Sequence, residues 1–148
     1  MIVMPYTFIP DKDHAKAYVH LKISTKSAQR ICAVIRKKPL ARVKRLLDDL
    51  NAERRSLDGK YYSKTVAEIL SALHSCEKNA EHRGLELSRL MVHASAHQGP
   101  VMRRRRRKSA FGNKMKSTNL EIILVQAPEK RARDEKADKK LKQTSDAT

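Results

Sequence analysis

The chain has 148 residues, with 33 Lys and Arg against 16 Asp and Glu, so that its formal net charge is +17. A chain of this length forms one domain, with room for an arm or a tail. It contains no run of roughly 20 apolar residues that could cross a bilayer, and residues 1–14 lack the basic and apolar regions of a secretory signal. These features exclude membrane-spanning and secreted proteins from our expectations and favour a cytoplasmic location.

The charge itself indicates a polyanionic partner. A chain this basic repels itself unless a partner neutralises it, and nucleic acid is the abundant anionic surface of a cytosol. An anionic membrane surface is the weaker alternative, because no basic amphipathic stretch carries large apolar anchors. The two cysteines, Cys32 and Cys76, stand alone without CxxC spacing, which is typical of a reducing compartment.

The first part of the chain is predicted to form one strand and two helices. Residues 1–17 have little pattern and are expected to be an irregular lead-in, while apolar side chains alternate over residues 18–23, the period of a half-buried strand. Apolar residues then recur at helical spacing up to about Lys38, and Pro39 starts a second helix, because proline is tolerated in a first turn but not in an interior. The apolar stripe of that second helix contains Leu40, Val43, Leu46, Leu47 and Leu50.

A longer helix and two strands follow. The spacing of apolar residues predicts a helix over about residues 64–83, with Ser63 as its N-cap and Gly84 as its left-handed C-terminal residue. Alternation over residues 90–96 and 120–126 predicts two strands that pair as an antiparallel hairpin.

These elements define the predicted organisation of the chain. We expect a domain of the α+β class over residues 18–126, with three helices packed on a small antiparallel sheet. A long extended β-hairpin arm is expected over about residues 90–126. Residues 127–148 have no apolar period and add a net charge of only +2, so that we expect a charged, disordered tail.

The interval over residues 97–119 is the most informative part of the chain, since it holds eight basic residues and no acidic one. A loop of this length inside a small domain is usually functional or disordered. Here it lies between two strands, which favours a hairpin arm of about eleven residues per side that reaches roughly 35 Å. Arginine forks bind phosphate and stack on bases, so the arm is predicted to enter folded RNA. Its basic residues are Arg103, Arg104, Arg105, Arg106, Arg107, Lys108, Lys114 and Lys116.

Other interpretations of these cations stay open. The unbroken basic run is also consistent with a disordered nucleic-acid tether or with a nuclear localisation signal. The first helix is basic as well, and its cations fit RNA contact and an ordinary solvated surface equally. They are Lys26, Arg30, Arg36, Lys37 and Lys38.

The sequence gives little support to catalysis or to metal binding. His93 and His97 share one side of a predicted strand, but no Cys or acidic residue completes a zinc set. His74 and Cys76 point to different faces of a predicted helix, and Cys76 lies on its apolar stripe as a core thiol would. We therefore expect no enzyme, no metal and no cofactor.

Three stretches resemble a known family. They are NAEHRGLELSRL (79–90), AHQGPVMRRRRRKSAFGNK (96–114) and STNLEIILV (117–125). Together they resemble the large-subunit ribosomal protein twenty-two family, which reaches the nascent-peptide exit tunnel, and the last two look closest to its archaeal branch, with the eukaryotic branch next. Residues 23–50 are similar to the first two helices of the family, so that the resemblance covers about residues 18–126.

The resemblance implies three helices against a small antiparallel sheet, a body that binds large-subunit ribosomal RNA, and a hairpin whose tip lines the exit tunnel. It also implies neighbouring large-subunit proteins and, transiently, the nascent polypeptide as partners. The usual Arg-Ala-x-Gly-Arg tip is replaced by SAFGN at residues 109–113, which removes two arginines. The tip residues carried over are Ala110, Phe111, Gly112, Asn113 and Lys114.

The function expected from residues and resemblance together is that of a structural constituent of the large ribosomal subunit. The alternative is a free nucleic-acid-binding protein, such as a chromatin or RNA-chaperone module, that uses the same basic arm. A membrane-active cationic protein is the third class, and it would bind lipid after nuclease treatment.

Overall fold

The computed structural model of the protein describes residues 8–10, 13–100 and 104–127. The described strands are β1 (His14–Leu21), β2 (Lys38–Pro39), β3 (Leu90–Gln98) and β4 (Thr118–Gln126). The described helices are α1 (Thr25–Ile35), α2 (Leu40–Asn51) and α3 (Ser63–His82). Three helices packed on a small antiparallel sheet are the predicted α+β class, which is confirmed. Residues 128–148 of the expected tail (127–148) and residues 1–7 and 11–12 of the expected lead-in lie outside the described residues.

The sheet has the strand order β1-β4-β3-β2, and each neighbouring pair is antiparallel. The predicted hairpin is confirmed, since β3 and β4 pair from Leu90 opposite Gln126 to Gln98 opposite Thr118. The first strand lies on the far side of β4, with His14 opposite Val125. The ends of β3 and β4 at Gln98 and Thr118 therefore lie side by side, and the basic interval begins and ends there.

The hydrophobic core lies between one face of the sheet and the helices. Alternate side chains of the strands point into it, because successive side chains of a strand face opposite ways. In β4 these are Leu120, Ile122 and Leu124, all fully buried. The helices contribute their apolar stripes, whose fully buried large residues are Ile31, Ile35, Val43, Leu47, Leu50, Ile69 and Leu73.

The first strand begins earlier than the sequence predicts. It runs over His14–Leu21 rather than over residues 18–23, so residues 14–17 belong to the sheet and not to the lead-in. Ala15 and Ala17 supply the inward positions of this segment and are buried against α3. Alanine has low strand propensity, and this is why the alternation of small side chains gave no signal.

The first helix ends at Ile35, not near Lys38 as predicted. Lys37 adopts a left-handed conformation (φ +58°) that turns the chain, and its N–H donates to the Val92 carbonyl at 2.8 Å. Lys38–Pro39 then pairs with β3 as a short fourth strand that the sequence did not indicate. The second helix starts directly after Pro39, as predicted.

The third helix lies within one residue of its predicted bounds. Gly84 has φ +69°, and the Leu85 N–H donates to the Ala80 carbonyl at 3.0 Å, which is the left-handed termination expected there. The predicted Ser63 cap is wrong, because Tyr62 occupies the N-cap position with φ +55°. Ser63 is instead the first helical residue, and its hydroxyl donates to Glu53 at 3.4 Å.

The last turns of α3 hold the edge strand β1 in place. Asn79 Nδ2 donates to the Lys16 carbonyl at 3.2 Å, and Arg83 Nη1 donates to the His14 carbonyl at 2.6 Å. Edge strands expose backbone groups that would otherwise pair with another chain. The NAEHRG stretch therefore has a structural role, since two of its side chains donate hydrogen bonds to backbone carbonyls of this edge strand.

Candidate nucleic-acid interface

The basic interval folds back on itself as a hairpin beyond the sheet. At its base the Gly99 N–H donates to the Ser117 carbonyl at 3.0 Å. Farther out, Arg104 and Lys114 form an isolated bridge, and the Arg105 N–H donates to the Asn113 carbonyl at 3.0 Å. These bonds align the two sides of the interval, which we call the arm (residues 99–117).

Two glycines have different functions in the arm. Gly99 lies where a Cβ would collide with the side chains of Ser117 and His20, so a larger residue at the base would require both side chains to shift. Gly112 has φ +77° with open space around it, and it follows a single helical turn over Lys108–Ala110. Gly112 is one of the tip residues that the family resemblance implies.

The cations of the arm face solvent. Arg103 lies outside the described residues, and Arg104 to Lys108 are all exposed. Phe111 is 76% exposed, and it lines a groove of about 280 Å³ together with Gly112 and the guanidinium-bearing side chains of residues 104–106. An exposed aromatic ring beside arginines offers both stacking and phosphate contact. This geometry suits a single-stranded or unstacked nucleic acid segment.

A second group of cations meets at the base of the arm. Lys26 of α1 and Lys114 and Lys116 of the arm line one groove of about 350 Å³, with Gln98 and Ser24 among the polar residues between them. In the sequence, Lys26 lies far from Lys114 and Lys116. Because β3 and β4 bring the base of the arm beside the start of α1, the fold collects them on one surface.

A third group lies at the opposite end of α1. Arg36 and Lys37 are exposed beside β3, where Arg36 Nε donates to the Ala94 carbonyl at 3.3 Å. They border a groove on the face of the sheet that the helices leave open, and His93 lies in the same groove. Burial lowers the pKa of His93, and the positive charges of Lys37 and Arg36 lower it further.

Two predicted cations do not join these groups. Arg30 is engaged within the protein, since its Nη1 lies 3.4 Å from the Asp58 carboxylate and 3.0 Å from the Tyr62 hydroxyl. The pKa of Arg30 is raised mainly by the hydrogen bond with Tyr62, and the negative charge of Asp58 raises it further. Lys38 is half-buried in β2. The five cations expected around the first helix therefore do not form one surface.

The groups that nucleophilic or metal chemistry would need are buried or dispersed. Burial raises the pKa of the Cys32 and Cys76 thiols to about 12. Cys76 lies in the core, with its Sγ 3.6 Å from the carbonyls of Ala15 and Ile122. No group of three His, Cys, Asp or Glu residues is placed to hold a metal ion within residues 8–10, 13–100 and 104–127. Over the same part of the chain, no helix combines the length and apolar character of a membrane span.

Sequence reasoning missed Glu121 and Phe8 as residues of the open sheet face. Glu121 is 3% exposed and accepts a hydrogen bond from the Ser95 hydroxyl at 2.6 Å, although it lies on the side of β4 away from the helices. The stretch LEIILVQ is almost continuously apolar, a pattern typical of a strand buried on both faces. That signal pointed to a covered outer face. Nothing in the sequence placed Phe8 against it.

Comparison with known proteins assigns the chain. A family model described as ribosomal protein L22p/L17e matches residues 17–125. Large ribosomal subunit protein uL22 of Methanopyrus kandleri is 32% identical over 122 residues, covering 68% of this chain and 77% of the relative. The uL22 protein of Archaeoglobus fulgidus is 33% identical, and the match covers 67% of this chain and 79% of the relative. The uL22 protein of Methanosphaera stadtmanae is 32% identical, and the match covers 82% of this chain and 96% of the relative. The resemblance and its archaeal character are confirmed, and the chain belongs to the ribosomal protein L22p/L17e family.

Proposed function

We propose that this chain is a structural constituent of the large ribosomal subunit, in which it binds large-subunit ribosomal RNA. The observation that carries this proposal is the family match over residues 17–125, whose curated relatives are named large ribosomal subunit proteins. A ribosomal protein family is not an enzyme class. The net charge of +17 and the exposed cations of the arm support the same function.

The mechanism is electrostatic. Basic side chains displace counterions from RNA phosphates and fix neighbouring RNA segments to one another, with recognition by shape more than by sequence. Three groups of cations serve this purpose: the arm, the groove with Lys26 at its base, and the pair Arg36 and Lys37. Neighbouring large-subunit proteins contact the remaining surface in this proposal.

The finer part of the proposal concerns the tip of the arm. By its family, the segment Ala110–Lys114 lines the exit tunnel and meets the nascent polypeptide transiently. Phe111 is the exposed aromatic residue of this segment. Because SAFGN lacks the two arginines usual in the family, Phe111 supplies the tip with an aromatic contact in place of part of its charge.

Sedimentation tests the main proposal. We expect the protein in a source-cell extract to migrate with the large subunit on a sucrose gradient, stoichiometrically and after a high-salt wash. Recovery at the top of the gradient would refute the proposal and would favour a free nucleic-acid-binding protein. Lipid binding that survives nuclease treatment would instead favour a membrane-active protein.

Photo-crosslinking tests the tip. A photoreactive phenylalanine analogue at Phe111, which is 76% exposed, should crosslink to the nascent chain or to tunnel RNA in ribosomes that hold a nascent chain. The same analogue at Tyr61, an exposed aromatic position on the body, is the matched control and should yield neither adduct. Equal nascent-chain yields from both positions would contradict the placement of the tip.

A further inference from the structure

The open face of the sheet carries an aromatic pair that the proposed function does not use. The rings of Phe8 and His93 are stacked, with their centroids 4.6 Å apart and their planes inclined by 17°. Phe8 is 42% exposed and lies outside the hydrophobic core. An exposed ring stacked on a strand residue forms a flat platform on the side of the sheet opposite the helices.

A groove of about 320 Å³ lies beside this platform, and its chemistry is mixed. Arg36 and Lys37 border it, so that one side is positively charged. Ile123, which is not part of the core between sheet and helices, gives the groove an apolar wall. Its polar floor is the Glu121 carboxylate, which is 3% exposed and accepts from the Ser95 hydroxyl.

We propose that this groove receives one unstacked base of the large-subunit RNA, which stacks on the exposed Phe8 ring of the Phe8–His93 pair while Arg36 and Lys37 contact its phosphate. This inference rests on the proposed function, because it names a site at which the same RNA is held. Sequence-tolerant RNA recognition commonly works in this way, with splayed bases stacked on aromatic side chains and their edges hydrogen-bonded.

The groups in the groove favour a base over an apolar peptide side chain. A carboxylate is acceptor-only, and each of its oxygens can accept more than one hydrogen bond, so a ligand edge with N–H donors suits Glu121. Guanine offers two adjacent donors on one edge. The two cations match a phosphate next to that base, whereas an apolar side chain would match neither charge.

His93 is suited to the stacking role at neutral pH. Burial and the charges of Lys37 and Arg36 keep its pKa below the ordinary value of 6.5, so the ring is uncharged. A neutral imidazole presents a flat aromatic surface without adding a third positive charge to the groove. The same two cations that attract the phosphate therefore also keep the ring neutral.

Titration of the full chain with guanosine 5′-monophosphate, followed by the imidazole NMR signals of His93, tests the proposal. Ribose 5-phosphate, which has the phosphate and sugar but no base, is the matched ligand. We expect the nucleotide to shift the His93 signals in a saturable way and ribose 5-phosphate, which lacks the stacking base, to need at least about fivefold higher concentration for the same effect. Phe8→Ala should weaken nucleotide binding about fivefold or more. Tyr61→Ala removes an equally exposed ring of the body and should have no effect.

Three results would overturn the inference: equal shifts with ribose 5-phosphate, nucleotide binding unaffected by Phe8→Ala, or no shift at any concentration. Far-UV circular dichroism of Phe8→Ala verifies folding, which we expect to be intact because Phe8 is not part of the core. In the assembled subunit, ultraviolet crosslinking should attach a nucleotide to Phe8 or His93. Crosslinks from these residues to a neighbouring protein instead would assign the groove to that protein. The sedimentation experiment does not depend on this groove, so failure of the groove proposal is distinguishable from failure of the proposed function.

Discussion

Replacing four arginines of the arm measures how much of the affinity for RNA depends on the arm. Arg104 to Arg107 are all exposed, and none of them forms an ion pair with an acidic residue in the part of the chain that the structure describes. Their charge is therefore available to phosphates. The variant with all four replaced by Ala keeps the backbone bond from the Arg105 N–H to the Asn113 carbonyl, since that bond needs no side chain.

The expected magnitude follows from counterion release. Each phosphate contact contributes about 0.7–0.9 to the slope of log affinity against log salt concentration, so that four contacts account for a slope of about 2.8–3.6. Between about 50 and about 200 mM salt, that slope corresponds to a loss of affinity of roughly 50- to 150-fold. The variant should lack this part of the salt dependence.

The assay is filter binding of the full chain to large-subunit RNA over a salt series. A control variant replaces Arg42, Arg45, Arg54 and Arg55 with Ala. These residues are exposed too, and the change lowers the net charge of +17 by the same four charges. The control should keep most of the slope. Equal slopes for the two variants would refute the reasoning, because the arm would then act only through total charge.

Three further predictions test the body. Cys32 and Cys76 should resist iodoacetamide in native buffer at pH 8 and react in denaturant, because burial raises the pKa of both thiols to about 12; rapid native labelling would contradict their burial. The pKa of His93 is lower in the folded than in the unfolded chain, so its contribution to stability is complete above about pH 6.5 and is lost as pH falls through the folded pKa. Denaturant titrations between pH 7.5 and 5 should therefore show a smaller decline for His93→Gln than for the native chain, and equal declines would exclude this role. Asn79→Ala should lower the free energy of unfolding by about 0.5–1.5 kcal/mol through the lost bond to β1, whereas Lys78→Ala at the exposed neighbouring position should change it by less than about 0.5 kcal/mol.

Elements whose large apolar residues recur with a regular period were predictable from the sequence. Elements without such a period were not. The third helix and the pairing of β3 with β4 follow from regular spacing of large apolar side chains. The start of β1 did not, because Ala15 and Ala17 carry little strand propensity and acquire their role only against α3. The strand Lys38–Pro39 depends on the left-handed conformation of Lys37. A left-handed residue is usually indicated by a glycine, and the sequence has none at this position.

The candidate site was predictable as a composition but not as an arrangement. The basic interval stands out in the sequence, and the arm lies where that interval was expected to form one. Which cations share a surface depends on tertiary contacts. Lys26 lies beside Lys114 and Lys116 only because the sheet places the base of the arm next to the start of α1. Arg30 forms an ion pair with Asp58 and so does not join the other cations. Neither contact has a local sequence signal.

The body and the arm are stabilised by different interactions, and this difference separates folding from binding. The body buries large aliphatic side chains from both layers, whereas no residue over 104–116 is buried. The arm is aligned by backbone hydrogen bonds, against the mutual repulsion of its arginines. Phosphates that neutralise those arginines remove the repulsion, so RNA stabilises the arm more than the body. Substitutions among Arg104 to Arg107 should therefore change RNA affinity and leave the free energy of unfolding nearly constant, while substitutions in the core, such as Leu47→Ala, should change both.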